Sequence, residues 1–136
     1  MRYLLLATAA ACLPLAPVRA CTITLTALNI SDNPIALDLS TARVRSGIAG
    51  RGWGPWRRLT AGGWFASGGT LIINGHVSRE DTYRTPNVCL ARRQYEVIYT
   101  CRAGIRVGET YRAVSEDMTG SAYSEHDFWW RIGEGC

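Results

Sequence analysis

Apolar and polar residues alternate along much of this chain, a pattern typical of strands that bury one face. In the segment 21–30 the side chains of Cys21, Ile23 and Leu25 share one face, with threonines opposite. The clearest alternation runs from about residue 94 to Cys101. No window after residue 20 carries a clean helical stripe, so the chain is predicted to be all-β.

Turn signals such as Asp32-Asn33-Pro34 and Asn74-Gly75 separate the other alternating segments. Ala42 and Val44 continue the pattern in the opposite phase to Leu39, which predicts a bulge or bend at residues 40–41. Seven or eight short strands favour a small antiparallel β-sandwich, with a small β-barrel as the alternative. Further strands are predicted at 35–44, 56–59, 70–73, 82–84, 105–113 and 122–132.

Residues 1–20 have a different pattern: a basic start, a short apolar run and small residues up to Ala20. This is the pattern of a cleaved secretory signal peptide, and the apolar run is too short to span a bilayer. The sequence therefore predicts a single domain, residues 21–136, in the periplasm or outside a bacterial cell. The alternative is a lipoprotein anchored in the membrane through Cys21, although Arg19 is unusual just before a lipidated cysteine.

Of the five cysteines, Cys12 lies in the predicted signal, and the even number that remains predicts two disulfides. No Cys-x-x-Cys spacing occurs, so neither a metal site nor a cofactor is predicted. Three pairings are possible, and strand direction mildly favours Cys21–Cys101 with Cys89–Cys136 over a local Cys89–Cys101 bridge.

The charge balance of the chain limits the classes of partner that are expected. All fifteen basic residues are arginines, and the thirteen that follow the signal nearly balance eleven carboxylates. The arginine pairs at 57–58 and 92–93 are too short for a nucleic-acid-binding tail, so nucleic acid is not an expected partner. Contact with a membrane is expected only if Cys21 carries lipid.

The tryptophans are the main candidates for function, since exposed indoles beside arginine suit stacking on sugar rings or contact with a protein. Trp129 and Trp130 are adjacent, and because neighbouring strand residues point to opposite faces, at most one enters the core. The alternative for the loop tryptophans is to fold back over the ends of the sandwich. The predicted ligand surface comprises Trp53, Trp56, Arg57, Arg58, Trp64, Trp129, Trp130 and Arg131.

A catalytic interpretation rests on the segment 124–127. Ser124 and His126 would share one strand face, but Asp127 would lie on the other and leave the imidazole without a group to orient it. The sequence therefore predicts a non-catalytic exported binding module, with an envelope glycan or another exported protein as its ligand. The alternatives are a small exported hydrolase using Ser124 and His126, and a structural subunit or lipid-anchored component of the envelope.

Overall fold

The computed structural model describes residues 20–47, 51–86 and 88–136. The segment up to residue 19, which carries most of the predicted signal peptide, lies outside the described residues. The described chain contains one turn of 3-10 helix, Phe65–Ser67, and no helix able to cross a membrane. Its strands are β1 (Cys21–Asn29), β2 (Ile35–Gly47), β3 (Arg57–Arg58), β4 (Thr70–Ile73), β5 (Ser78–Thr85), β6 (Arg92–Cys101), β7 (Thr110–Val114) and β8 (Glu125–Ile132).

The strands form two sheets, which confirms the predicted β-sandwich. The smaller sheet has the order β5-β1-β8, and the larger has the order β3-β2-β6-β7 with β4 also paired to β2. Every strand pair is antiparallel except β1 with β8, which is parallel. Alternate residues of the longer strands fill the core, which includes Ile23, Leu25, Leu37, Tyr95, Val97, Phe128 and Trp130.

Strand β2 changes its pairing at the point where the sequence changes phase. The register between β2 and β6 shifts between Asp38 and Arg43, which confirms the predicted bulge. Inside the bulge, Thr41 Oγ1 accepts a hydrogen bond from Ile98 N at 2.9 Å and donates one to Asp38 O at 2.6 Å. After the bulge Val44 is half-buried, so the arginines on either side of it face outward.

Two disulfides join the strands, Cys21–Cys89 and Cys101–Cys136, with Cα–Cα distances of 5.0 and 5.3 Å. The favoured pairing of Cys21 with Cys101 was therefore wrong. It assumed antiparallel β1 and β6, whereas these strands lie in different sheets and Cys89, three residues before β6, meets the start of β1. The disulfide also occupies the Cys21 sulfur that a lipid anchor would need.

Among the strand boundaries that differ from the prediction are those of β5, β7 and β8. Strand β5 is longer than expected, and β8 begins at Glu125 rather than at residue 122. Strand β7 begins at Thr110 because residues 105–108 form the turn that follows β6, in which Gly104 and Gly108 have φ values of 82° and 85°. Ile105 is fully exposed at the tip of this turn, although its side chain is apolar.

The side chain of Arg93 is buried at the start of β6, with 1% of the residue exposed. Its guanidinium donates hydrogen bonds to the carbonyl oxygens of Val88 at 2.9 Å, Cys89 at 3.3 Å and Ala91 at 3.1 Å. The segment that carries Cys89 is thus wrapped around a buried cation, and the disulfide to Cys21 fixes it to the opposite sheet.

We expect Arg93→Met to lower the free energy of unfolding by about 1.5–3 kcal/mol, because the segment loses three hydrogen bonds from a charged donor. The carbonyls of Val88 and Cys89 keep their backbone donors, Ala91 N and Gly120 N, so the loss is that of the guanidinium contacts alone. Urea unfolding of the disulfide-intact protein measures this change. The matched control is Arg102→Met, since Arg102 is exposed and its loss should cost about 0.5 kcal/mol or less. Equal effects of the two substitutions would contradict the role given to Arg93.

The core also contains two tyrosines whose hydroxyl groups hydrogen-bond to each other, Tyr83 and Tyr95. Burial raises the pKa of Tyr83 to about 12 and raises the pKa of Tyr95 well above its usual 10. The unfolded chain loses these protons first, so the native state binds more protons above about pH 10. The free energy of unfolding should therefore fall as the pH rises from about 10, by up to about 1.4 kcal/mol per pH unit for each tyrosine.

Urea unfolding at about pH 8 and about pH 11 tests this expectation. Replacing Tyr83 and Tyr95 by phenylalanine should reduce the alkaline loss, and burial of Tyr99, which also raises its pKa, should account for part of the remainder. The control, Tyr123→Phe, removes a tyrosine that is 63% exposed and should leave the pH dependence unchanged. Stability that stays constant up to pH 11 in the unmodified protein would rule the explanation out.

Candidate functional site

Four side chains stack in alternating order on the outer face of the larger sheet: Trp56, Arg45, Trp53 and Arg92. The guanidinium carbon of Arg45 lies 4.6 Å from the ring centroid of Trp56 and 4.7 Å from that of Trp53. The guanidinium carbon of Arg92 lies 4.4 Å from the ring centroid of Trp53. We call these four residues the Trp–Arg stack, and its contacts are cation–π interactions.

Hydrogen bonds fix both arginines of the stack. Arg45 donates through Nε and Nη2 to Gln94 Oε1, at 2.9 and 2.5 Å, and Gln94 in turn donates to the Ser115 carbonyl at 3.0 Å. Arg92 donates to Asp117 Oδ2 at 2.7 Å. The stack is thereby tied to β6 and to the segment that follows β7.

The local sequence explains why Trp53 can reach Arg45. Gly47 forms an isolated antiparallel bridge with Trp53 at the end of β2. A Cβ at Gly47 would lie 3.1 Å from Trp53 Cε3 and 2.8 Å from the Gly52 carbonyl oxygen. The absence of a side chain at Gly47 therefore lets the indole approach the sheet closely.

Two hollows flank the stack. The hollow beside Trp56, of about 270 Å³, is lined by Thr41, Arg43, Trp56, Glu96, Val97, Ile98 and Arg112. Within it, Arg112 Nε donates to Glu96 Oε2 at 2.7 Å, and Arg43 Nη1 lies 3.9 Å from Glu96 Oε1. The other hollow, of about 580 Å³, lies beside Trp53 and is lined by Ser46, Gly47, Arg51, Gly52, Trp53, Gly54, Val88 and Ala91.

Positive charge is concentrated at this site. The stack and the Trp56 hollow contain four arginines, at positions 43, 45, 92 and 112. They face two carboxylates, Glu96 and Asp117. Of the thirteen arginines and eleven carboxylates after residue 20, nine of each lie outside the site, so the remainder of the domain has no net charge. An anionic group is therefore attracted to this face rather than to the others.

The predicted ligand surface is divided among different parts of the molecule. The structure brings Trp53 and Trp56 together in the stack, and the exposed Arg57 and Arg58 form β3 beside it. Trp64 lies elsewhere, at the edge of the smaller sheet. Its Nε1 donates to the Glu80 carbonyl at 2.7 Å, and its ring packs 3.8 Å from that of Phe65, centroid to centroid.

The adjacent tryptophans of β8 point in opposite directions. Trp130 is 2% exposed and packs in the core near Tyr95 and Phe65, so it is removed from the candidate surface. Trp129 is 61% exposed on the outer face of the smaller sheet, and Arg131 is exposed on the same face. These two residues therefore lie on the sheet opposite to the Trp–Arg stack.

The sequence interpretation missed Arg43, Arg45, Arg92 and Arg112 as site residues. A signal for two of them was present, because the phase change before Ala42 turns Arg43 and Arg45 away from the core. The residues that contact these two arginines in the folded protein could not be identified in this way. The contact of Arg45 with Gln94 joins residues 49 positions apart and depends on the register between β2 and β6.

The residues considered for catalysis do not converge. Ser124 is exposed, and no described hydrogen bond joins it to His126, whose ring packs 4.4 Å from that of Phe128. Glu125 and Asp127 line a hollow with His126 and are both exposed. Within 20–47, 51–86 and 88–136, no group of three or more His, Cys, Asp or Glu side chains could hold a metal ion.

No protein-family profile matches this sequence, and no curated protein or solved structure is significantly similar to it. A function can therefore be inferred only from the chemistry of the site. That chemistry combines indole rings, a small hollow and an excess of arginine at the Trp–Arg stack.

We expect Arg45→Ala to disrupt the stack, because Arg45 contacts both indoles and also binds Gln94. The free energy of unfolding should fall by about 1–2 kcal/mol, and acrylamide should quench the fluorescence of Trp53 and Trp56 more strongly. The matched control is Arg43→Ala, which removes an arginine that is outside the described cation–π contacts and whose side chain is 57% exposed. Equal effects in the two variants would contradict the proposed packing.

Proposed function

We propose that this protein is an exported binding module that uses the Trp–Arg stack and the adjoining Trp56 hollow to bind an acidic glycan of the cell envelope. The observation that carries the proposal is the position of Trp56. Arg45 covers one face of its ring, and the ring also lines a hollow that contains Arg43 and Arg112. An aromatic surface beside arginines suits a sugar ring that carries a carboxylate.

The two arginines of the hollow retain donors for a ligand. Arg112 directs two of its five N–H groups to Glu96, and Arg43 approaches the same carboxylate only at 3.9 Å. Because one carboxylate stands between two guanidinium groups, the hollow keeps a net positive charge. The guanidinium groups can therefore donate paired hydrogen bonds to the carboxylate of a uronic acid.

Export is supported by two independent features. The two disulfides, Cys21–Cys89 and Cys101–Cys136, are consistent with an oxidising compartment. The sequence of residues 1–20 has the pattern of a secretory signal. We propose on this basis that the domain functions in the periplasm or outside the cell. We do not extend the proposal to hydrolysis, because Ser124 and His126 are not joined by a described hydrogen bond.

The proposal is tested by titrating the protein with alginate oligosaccharides, which carry a carboxylate on each sugar, and with neutral malto-oligosaccharides of equal length. Tryptophan fluorescence should change with the acidic sugar alone, and added salt should weaken binding. Trp56→Ala should weaken binding about tenfold or more, since it removes the stacking surface.

The matched control is Trp129→Phe, which alters an exposed indole on the opposite sheet and should leave unchanged the affinity for an oligosaccharide too short to reach more than one stack. An unchanged spectrum with every acidic or neutral glycan would overturn the glycan proposal. Equal, salt-independent binding of the two sugars would exclude the role of arginine.

A further inference from the structure

Strand β8 forms a long, unpaired edge of the smaller sheet. It pairs with β1 alone, and the carbonyls of Ser124 and Ile132 accept hydrogen bonds from the β1 side, both at 2.8 Å. The N–H and C=O of one strand residue point to the same side, so the backbone groups of even-numbered residues face β1. Those of Asp127, Trp129 and Arg131 face the open edge, where no described backbone group pairs with them.

The other edge of the same sheet, β5, is covered. Trp64 Nε1 donates to the Glu80 carbonyl, which lies on the free side of that strand. Asp81 holds the residues on both sides of Trp64 in place by accepting hydrogen bonds from Gly63 N at 2.8 Å and Phe65 N at 3.1 Å. Native proteins usually cover such edges, and β8 has no comparable cover among the described residues.

We propose that β8 pairs with β8 of a second copy of this chain, antiparallel and centred on Trp129. In this register Trp129 faces Trp129 of the second copy. Asp127 of each copy then faces Arg131 of the other, because the two residues are equally distant from Trp129. The backbone groups of these three residues are also the ones that are unpaired at the edge. One register therefore forms their hydrogen bonds and places Asp127 opposite Arg131.

Side-chain pairing favours this register over the others that the open edge allows. A pairing centred on Phe128 would join Arg131 to Glu125 but would place Asp127 opposite Trp129, and one centred on Trp130 would leave Asp127 without an arginine. A pairing centred on Asp127 would oppose two carboxylates, and one centred on Arg131 would oppose two guanidinium groups. If one β8 strand slipped by one residue relative to the other, even-numbered residues of one copy would face the partner. Their backbone groups are already bonded to β1. The Trp129-centred pairing has twofold symmetry and covers a tryptophan that is 61% exposed in a single chain.

The result is a continuous six-stranded sheet with the order β5-β1-β8-β8-β1-β5. Its formation leaves the larger sheet of each copy open, because the Trp–Arg stack lies on the other sheet. A dimer therefore carries two copies of the stack and can engage a polymeric ligand at two points. The pairing itself does not depend on the proposed function.

Sedimentation equilibrium of the full exported chain tests the proposal, and we expect a reversible dimer at high micromolar concentration. Arg131→Asp and Asp127→Arg should each weaken self-association about tenfold or more, because each places like charges opposite one another twice. An equimolar mixture of the two variants should recover the dimer, since their heterodimer again pairs Asp with Arg at both positions.

The matched control is Arg84→Asp, which makes the same charge change on β5 at an exposed position and should leave the dimer intact. Circular dichroism of each variant verifies that it is folded, and recovery in the mixture separates lost pairing from lost folding. A protein that stays monomeric throughout, a dimer that tolerates Arg131→Asp, or a mixture that fails to recover would each overturn the proposal.

Discussion

The burial of Arg93 is the constraint on which the candidate site depends. Its guanidinium holds the carbonyls of Val88, Cys89 and Ala91, and the Cys21–Cys89 disulfide ties that segment to the smaller sheet. Because neighbouring residues of a strand point to opposite faces, a side chain at position 93 that is fixed in the core directs Arg92 outward. Arg92 then contacts Trp53 and ends the Trp–Arg stack. The contacts that hold the two sheets together therefore also direct Arg92 into the Trp–Arg stack.

The fold class could be predicted from the sequence because alternation is a local property, visible in β1 and β6 without knowledge of their partners. The bulge in β2 was predicted for the same reason. The disulfide pairing could not be predicted, since it depends on the relative direction of strands in different sheets. Alternation also identifies Trp130 as the tryptophan of β8 that enters the core, because it shares a face with Phe128 and Ile132, whereas Trp129 shares one with Asp127 and Arg131; this signal was missed.

The two outer faces of the sandwich differ in character. The larger sheet carries stacked indoles and an excess of arginine, whereas the smaller sheet presents threonines of β1 beside Trp129 and ends in the open edge of β8. Such a division lets one face bind a ligand while the edge of the other sheet pairs with a second chain. A weak contact at each stack would then be strengthened by the presence of two stacks in one particle.

Nuclear magnetic resonance of the indole and guanidinium N–H groups tests the central claim most directly, since each of the five tryptophans gives its own Nε1–H signal. The account predicts that alginate oligosaccharides shift the signals of Trp53 and Trp56 and of Arg45 Nε–H, and leave those of Trp64 and Trp130 in place. Unchanged Trp53 and Trp56 signals, or shifts confined to Trp129, would contradict a ligand site at the Trp–Arg stack.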